Sequence, residues 1–131
     1  MTASDIPSSP GKGNTVLIVE DDADIRETLV DLFRDAGFST LEAENGSEAL
    51  TALSSTHMPD IVLLDMLMPV MDGATFLKTV AGMPKYRDLP VVVVSANPSV
   101  RPPGAAAVVR KPFDTQELLA VIHAHIRPRA P

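Results

Sequence analysis

The 131 residues carry 45% hydrophobic and 21% charged side chains, the usage of one compact globular domain rather than of a disordered or fibrous chain. A formal charge of −6 and a pI near 4.9 exclude non-specific attachment to nucleic acid or to anionic membrane, which need a positive surface, and favour small cations as ligands. With no cysteine, disulfides, thiolate metal sites and thiol nucleophiles drop out, and any chemistry rests on oxygen and nitrogen groups. The aliphatic runs are too short to span a membrane and Met1–Gly13 lacks an apolar signal segment, so a cytoplasmic location without a membrane partner is expected.

Residues 1–13, rich in Ser, Pro and Gly, read as a flexible tail; the domain is expected over 14–127, with a short tail at 128–131. Val16–Val19 is a short apolar run bounded by acids, as in a strand buried on both faces. Ile25, Leu29, Leu32, Phe33 and Ala36 then recur at helical spacing and stop at Gly37. The alternation continues with a strand at Phe38–Ala43, a helix over Ser47–Ser54 burying Ala49, Leu50 and Leu53, and a strand at Ile61–Leu64. A helix carrying Phe76, Leu77 and Val80 comes next, then strands at Val91–Val94 and Ala106–Val109. The last helix opens on Asp114 with Glu117 placed to complete a capping box, and buries Leu118, Ile122 and Ile126. Such alternation predicts an α/β fold, a doubly wound five-stranded parallel sheet with helices on both faces.

Sites in such sheets form beyond the carboxyl ends of the strands, and the reactive residues fall there. Strand one runs into Glu20, Asp21 and Asp22, strand three into Asp65, strand four into Ser95, and strand five, past Arg110, into Lys111. Any one of them alone would read as loop polarity, with Asp22 capping the first helix. Together they predict a shared crevice, in which two carboxylates about 4 Å apart repel by roughly 4 kcal/mol at an effective dielectric near 20. A cation relieves that repulsion, and an oxygen-only, half-open site suits Mg²⁺ shared with a phosphate. Asp65 is then the nucleophile, Lys111 a fixed cation and Ser95 a hydroxyl donor to phosphoryl oxygens, helped by the backbone amides that follow Asp65 and Ser95.

Four segments, VLIVEDDADIR at 16–26, DMLMPVMDG at 65–73, VVVVSA at 91–96 and RKPF at 110–113, occur in an order that closely resembles the receiver domain of two-component response regulators, the CheY-like family. The resemblance spans about Thr15 to Arg127. It implies the flavodoxin-like strand order 2-1-3-4-5, a phosphoacceptor at Asp65, metal contacts from Asp21, Asp65 and the Leu67 backbone carbonyl, and a contact through water from Glu20. It also implies phosphoryl contacts from Ser95, the Ala96 backbone and Lys111, and a cis peptide before Pro112. A sensor histidine kinase or a histidine phosphotransfer protein would be the donor, and a downstream effector protein the recipient of the signal in a phosphorelay. The chain would be a phosphoacceptor that assists its own phosphorylation and dephosphorylation rather than an enzyme, and a monomer or weak dimer. Without a DNA-binding or catalytic segment it is expected to act as a stand-alone regulator through a separate partner.

Two departures from the family stand out. The switch position on strand five, an aromatic in the family, is Val108, and the stretch 96–103, where the family places its fourth helix, has eight residues, three of them proline. A mean helix is about eleven residues and an internal proline costs roughly 3 kcal/mol, so that helix is expected to be truncated or absent, and ordering of the loop is expected to replace it in signalling. A degenerate receiver that only binds partners is the alternative; the complete acid, Ser and Lys set argues against it. A haloacid dehalogenase-type phosphatase would carry its aspartate pair after strand one, whereas here the aspartate follows strand three, and Leu67 occupies the position of the second aspartate. His57, His123 and His125 read as surface or packing residues, Met66, Met68 and Met71 as packing over the site.

Overall fold

The computed structural model of the chain describes residues 14–55, 58–66, 73–96 and 102–126. The two tails, His57, Leu67, Met68, Met71 and Asn97 lie outside the described residues. In chain order the elements are β1 (Thr15–Val19), α1 (Ala23–Asp35), β2 (Ser39–Ala43), α2 (Gly46–Ser55), β3 (Ile61–Asp65), α3 (Gly73–Ala81), a 3₁₀ turn (Pro84–Tyr86), β4 (Val91–Ser95), β5 (Ala107–Arg110) and α4 (Thr115–His125). All strand pairs are parallel and the sheet order is β2-β1-β3-β4-β5, with β1 and β3 at its centre. That is the doubly wound fold the alternation predicts.

Successive side chains of a strand leave opposite faces, and the core divides accordingly. Leu17, Val19, Val62, Leu64, Val91 and Val93 pack with Ala49 and Leu53 of α2, Phe76, Leu77 and Val80 of α3, and Tyr86. Val16, Ile18, Ile61, Leu63, Val92, Val94 and Val109 pack on the other face with Leu29, Val30 and Phe33 of α1 and Leu118 and Ile122 of α4. Because both faces are covered, the central strands are uninterrupted apolar runs over Val16–Val19 and Ile61–Leu64, and β1 and β3 are almost wholly buried.

The structure corrects several details. Ile25, placed in the buried stripe of α1, is 40% exposed and lines a groove with Thr28, Leu29, Pro112 and Phe113; Val30 takes an inward position in its stead. Ile126 caps α4 and is only half-buried. β5 starts one residue later than expected, after a turn at Pro102–Ala105 and a bond from the Ala106 amide to the Val91 carbonyl (2.8 Å). Asp65 and Ser95 are the last residues of their strands, in register with Val94 and Arg110. Four α-helices are present among the described residues; 102–106 forms turns rather than a helix, and 97–101 lie outside the description.

The helix starts follow local hydrogen bonding. Asp22 Oδ1 accepts from the amides of Asp24 and Ile25 (2.9 and 3.0 Å), which satisfies two of the orphan donors of α1. Asp114 Oδ1 accepts from the Gln116 amide (2.7 Å), but Glu117 does not close the box. A related arrangement appears instead at α2, where Asn45 Oδ1 accepts from the Glu48 amide (2.9 Å) and Glu48 Oε1 reaches back past the cap to accept from the Glu44 amide (3.0 Å). His123 packs its ring on Phe38, and His125 Nδ1 lies 3.0 Å from the Val121 carbonyl.

Candidate phosphoacceptor site

The carboxyl ends of β1, β3, β4 and β5 bring Glu20, Asp21, Asp65, Ser95 and Lys111 to one end of the sheet. Asp65 ends a strand that is buried at every position, so its carboxylate is only 7% exposed. Lys111, just past the edge strand β5 and so across β4 from Asp65, donates from Nζ to Asp65 Oδ1 at 3.0 Å. The Lys111–Pro112 peptide is cis, and the Lys111 amide donates to the Ser95 carbonyl at 2.9 Å.

Ligand oxygens of Glu20, Asp21 and Asp65 all lie within 4.8 Å of one another. Glu20 and Asp65 are buried while Asp21 is exposed, so the cluster is closed toward the core and open toward solvent. The Glu20 carboxyl is pushed up to about 7, first by burial, then by the Asp65 charge and by hydrogen bonds with Asp21 and Asp65, against the lowering effect of the Asp22 amide, which donates to it at 3.1 Å. Three crowded carboxylates, one driven to hold its proton near neutrality, are the donor set a hard divalent cation would satisfy: oxygen-only, clustered and open on one side.

The amide following Asp65 belongs to Met66 and donates to the Val94 carbonyl at 3.4 Å. Ala96 is exposed at the mouth of the site, and Val108 is half-buried against the α2–α3 face, an aliphatic wedge with no ring to rotate.

Two contributors went unnoticed in the sequence. Arg26, the lone base in an acidic stretch, donates to the Glu20 main-chain carbonyl at 2.8 Å. Gly73 opens α3 against the end of β3, and its amide donates to the Met66 carbonyl at 3.1 Å. A Cβ at Gly73 would fall 2.8 Å from Met66 Cα, 2.7 Å from its sulfur and 3.1 Å from the Asp65 carbonyl. The sulfur can swing away; the main chain cannot. Gly73→Ala is therefore expected to destabilise the domain by about 1–3 kcal/mol in chemical denaturation, despite alanine's better helix propensity, and to slow phosphoryl uptake by shifting the end of β3. Unchanged stability would show that β3 and α3 separate freely.

A model of the response regulator receiver domain matches residues 16–123, and the chain belongs to that family. Receiver domains are phosphoacceptor signalling domains that bind Mg²⁺ at an acidic pocket and work with histidine kinases and downstream effectors. The phosphate regulon transcriptional regulatory protein PhoB of Klebsiella pneumoniae is 34% identical over 122 residues, covering 88% of this chain and 53% of its own length. The chain thus spans about half of that relative. A putative response regulator from Chloroflexus aurantiacus superposes with a TM-score of 0.79 at 33% identity, over 86% of this chain and 97% of its own. Response regulator TrrA from Thermotoga maritima, in complex with Mg²⁺-BeF, superposes with a TM-score of 0.77 at 28% identity, over 86% and 99%.

Proposed function

We propose that the chain accepts a phosphoryl group on Asp65 from a sensor histidine kinase or a histidine phosphotransfer protein, in the cytoplasm, and that the modified domain alters its binding to a downstream effector protein. The observation that carries this reading is the buried Asp65 carboxylate, with Lys111 on one oxygen and Glu20 and Asp21 beside it. Asp21, Asp65 and the Leu67 carbonyl would hold Mg²⁺, with Glu20 acting through water. When bound, the ion offsets negative charge shared between the carboxylates and the incoming phosphoryl group.

The residues of the chain do the rest. An Asp65 oxygen forms the new P–O bond as the donor's P–N bond breaks, and the leaving imidazole takes a proton from solvent. The Lys111 ammonium, already at Asp65, meets charge on the phosphoryl oxygens, with the Ser95 hydroxyl and the Ala96 amide as further donors. Lys111 also borders a groove of about 560 Å³ that continues along Ile25, Thr28, Leu29, Pro112 and Phe113. This largely apolar surface supports docking of the donor beside the carboxylate it feeds.

The test is exposure of the chain to a small acyl phosphate with Mg²⁺, followed by intact mass. One added phosphoryl group is expected, absent in Asp65→Asn and absent in EDTA. An adduct that persists in Asp65→Asn would move the acceptor elsewhere, and none in the native chain would leave a domain that only binds partners.

A further inference from the structure

Arg26 sits in the second turn of α1, and its amide donates to the Asp22 carbonyl at 2.9 Å. Its guanidinium folds back on the start of the helix. One terminal nitrogen donates to the Glu20 carbonyl at 2.8 Å, Nε lies 3.4 Å from Glu42 Oε1, and the other terminal nitrogen lies 3.9 Å from Glu44 Oε1. The Arg26 side chain is 14% exposed, against 49% and 61% for the two glutamates. A single planar fork therefore ties the β1–α1 turn to the end of β2 and the loop that follows. Ion pairs with half-exposed glutamates contribute little to stability by themselves, so they act here as anchors for the guanidinium.

The carbonyl it grips belongs to the peptide that joins Glu20 to Asp21. A trans peptide is planar, so fixing that oxygen fixes the plane from which the Asp21 side chain departs. The other end of Glu20 is held as well, its amide donating to the Ala43 carbonyl at 3.0 Å. Asp21 is the exposed member of the carboxylate cluster, and side-chain packing does little to orient it. Apart from its hydrogen bond with the Glu20 carboxyl, its direction rests on the backbone that Arg26 clamps.

We propose that Arg26 is a positioning residue of the acidic site: anchored by Glu42 and Glu44, its guanidinium holds the Glu20–Asp21 peptide in the orientation that receives a divalent cation beside Asp65. The proposal rests on the Mg²⁺ reading above and adds a structural tie from the edge strand β2 to the metal site. Its sign separates it from a through-space effect. A cation near three carboxylates repels Mg²⁺, so charge alone predicts tighter binding when Arg26 is neutralised, whereas loss of a clamp predicts weaker binding. Lysine keeps the charge but offers a point donor that cannot span a carbonyl and two carboxylates at once.

Calorimetric titration of Mg²⁺ into the native chain, Arg26→Met and Arg26→Lys, alongside thermal melts in EDTA, tests this. Arg26→Met is expected to bind Mg²⁺ about tenfold or more weakly, with Arg26→Lys in between. Affinity in Arg26→Met equal to or tighter than native overturns the proposal. Should Arg26→Met fail to fold, Arg26→Lys decides: weakened binding supports the clamp, and native affinity overturns it. A native chain that takes up no Mg²⁺ would remove the metal reading and this inference with it, an outcome visible before any variant is compared.

Discussion

Methionine in place of Lys111 is expected to slow phosphoryl uptake by Asp65 about 10²–10³-fold at saturating Mg²⁺, the range found when one preorganised charged or hydrogen-bonding group is removed from a developing anion. The ammonium is held 3.0 Å from Asp65 Oδ1 before any donor arrives, and its side chain is a third exposed, so it can shift toward an added phosphoryl group without crossing the core. Methionine keeps the apolar stem and deletes the donor. The same change removes a positive charge beside three carboxylates, so Mg²⁺ is expected to bind at least as tightly as in the native chain. Rate and affinity thus move in opposite senses, which separates a role on the phosphoryl oxygens from one on the metal. Uptake slowed less than tenfold at saturating Mg²⁺ would assign the phosphoryl charge to other donors.

Without divalent ions the domain is expected to lose stability as pH rises. The Glu20 carboxyl is pushed up from 4.5 to about 7, by burial first and by its acidic neighbours next. Between those values the native state binds more protons than the unfolded chain, so unfolding free energy falls with increasing pH; the contribution is complete below the unfolded value and gone above the folded one. With solvent at the open side of the cluster, the loss across this window is about 1–2 kcal/mol. A bound divalent ion requires deprotonated carboxylates, so Mg²⁺ should raise the melting temperature more at pH about 8 than at about 5.5. Asp65→Asn removes one of the charges acting on Glu20, and should flatten the metal-free profile and raise its alkaline end, since the partly exposed Lys111 can rehydrate. Melts in EDTA and in Mg²⁺ across this range provide the measurement; a metal-free melting temperature that is level or climbs with pH would show that the carboxylates are not crowded.

The fold was legible because it rests on short-range regularities. Apolar runs such as Val16–Val19 and Val91–Val94, uninterrupted by polar residues, describe strands covered on both faces, and the spacing of Leu29 and Phe33 describes a helix that covers one of them. Ile25 misled because periodicity reports which way a side chain points around its helix and says nothing of whether another element covers it there; it lines an open groove instead. The 3₁₀ turn that buries Tyr86 carried no periodic signal, being one turn long. At α2, Asn45 and Glu48 spelled a cap in plain spacing, with Asn45 bonding the Glu48 amide and Glu48 the amide of Glu44.

By itself the sequence determined the alternation of strands and helices, the family, and which residues fall at strand ends. These depend on side-chain character and spacing, which are local properties. The closeness of Glu20, Asp21 and Asp65, the bond from Lys111 to Asp65, the fit of Gly73 against Met66 and the reach of Arg26 to Glu20, Glu42 and Glu44 were decided by the tertiary structure alone. Each joins segments far apart in the chain or depends on how a backbone turns at the end of a strand, and a burial-driven carboxyl shift such as that of Glu20 exists only once the sheet has closed around it.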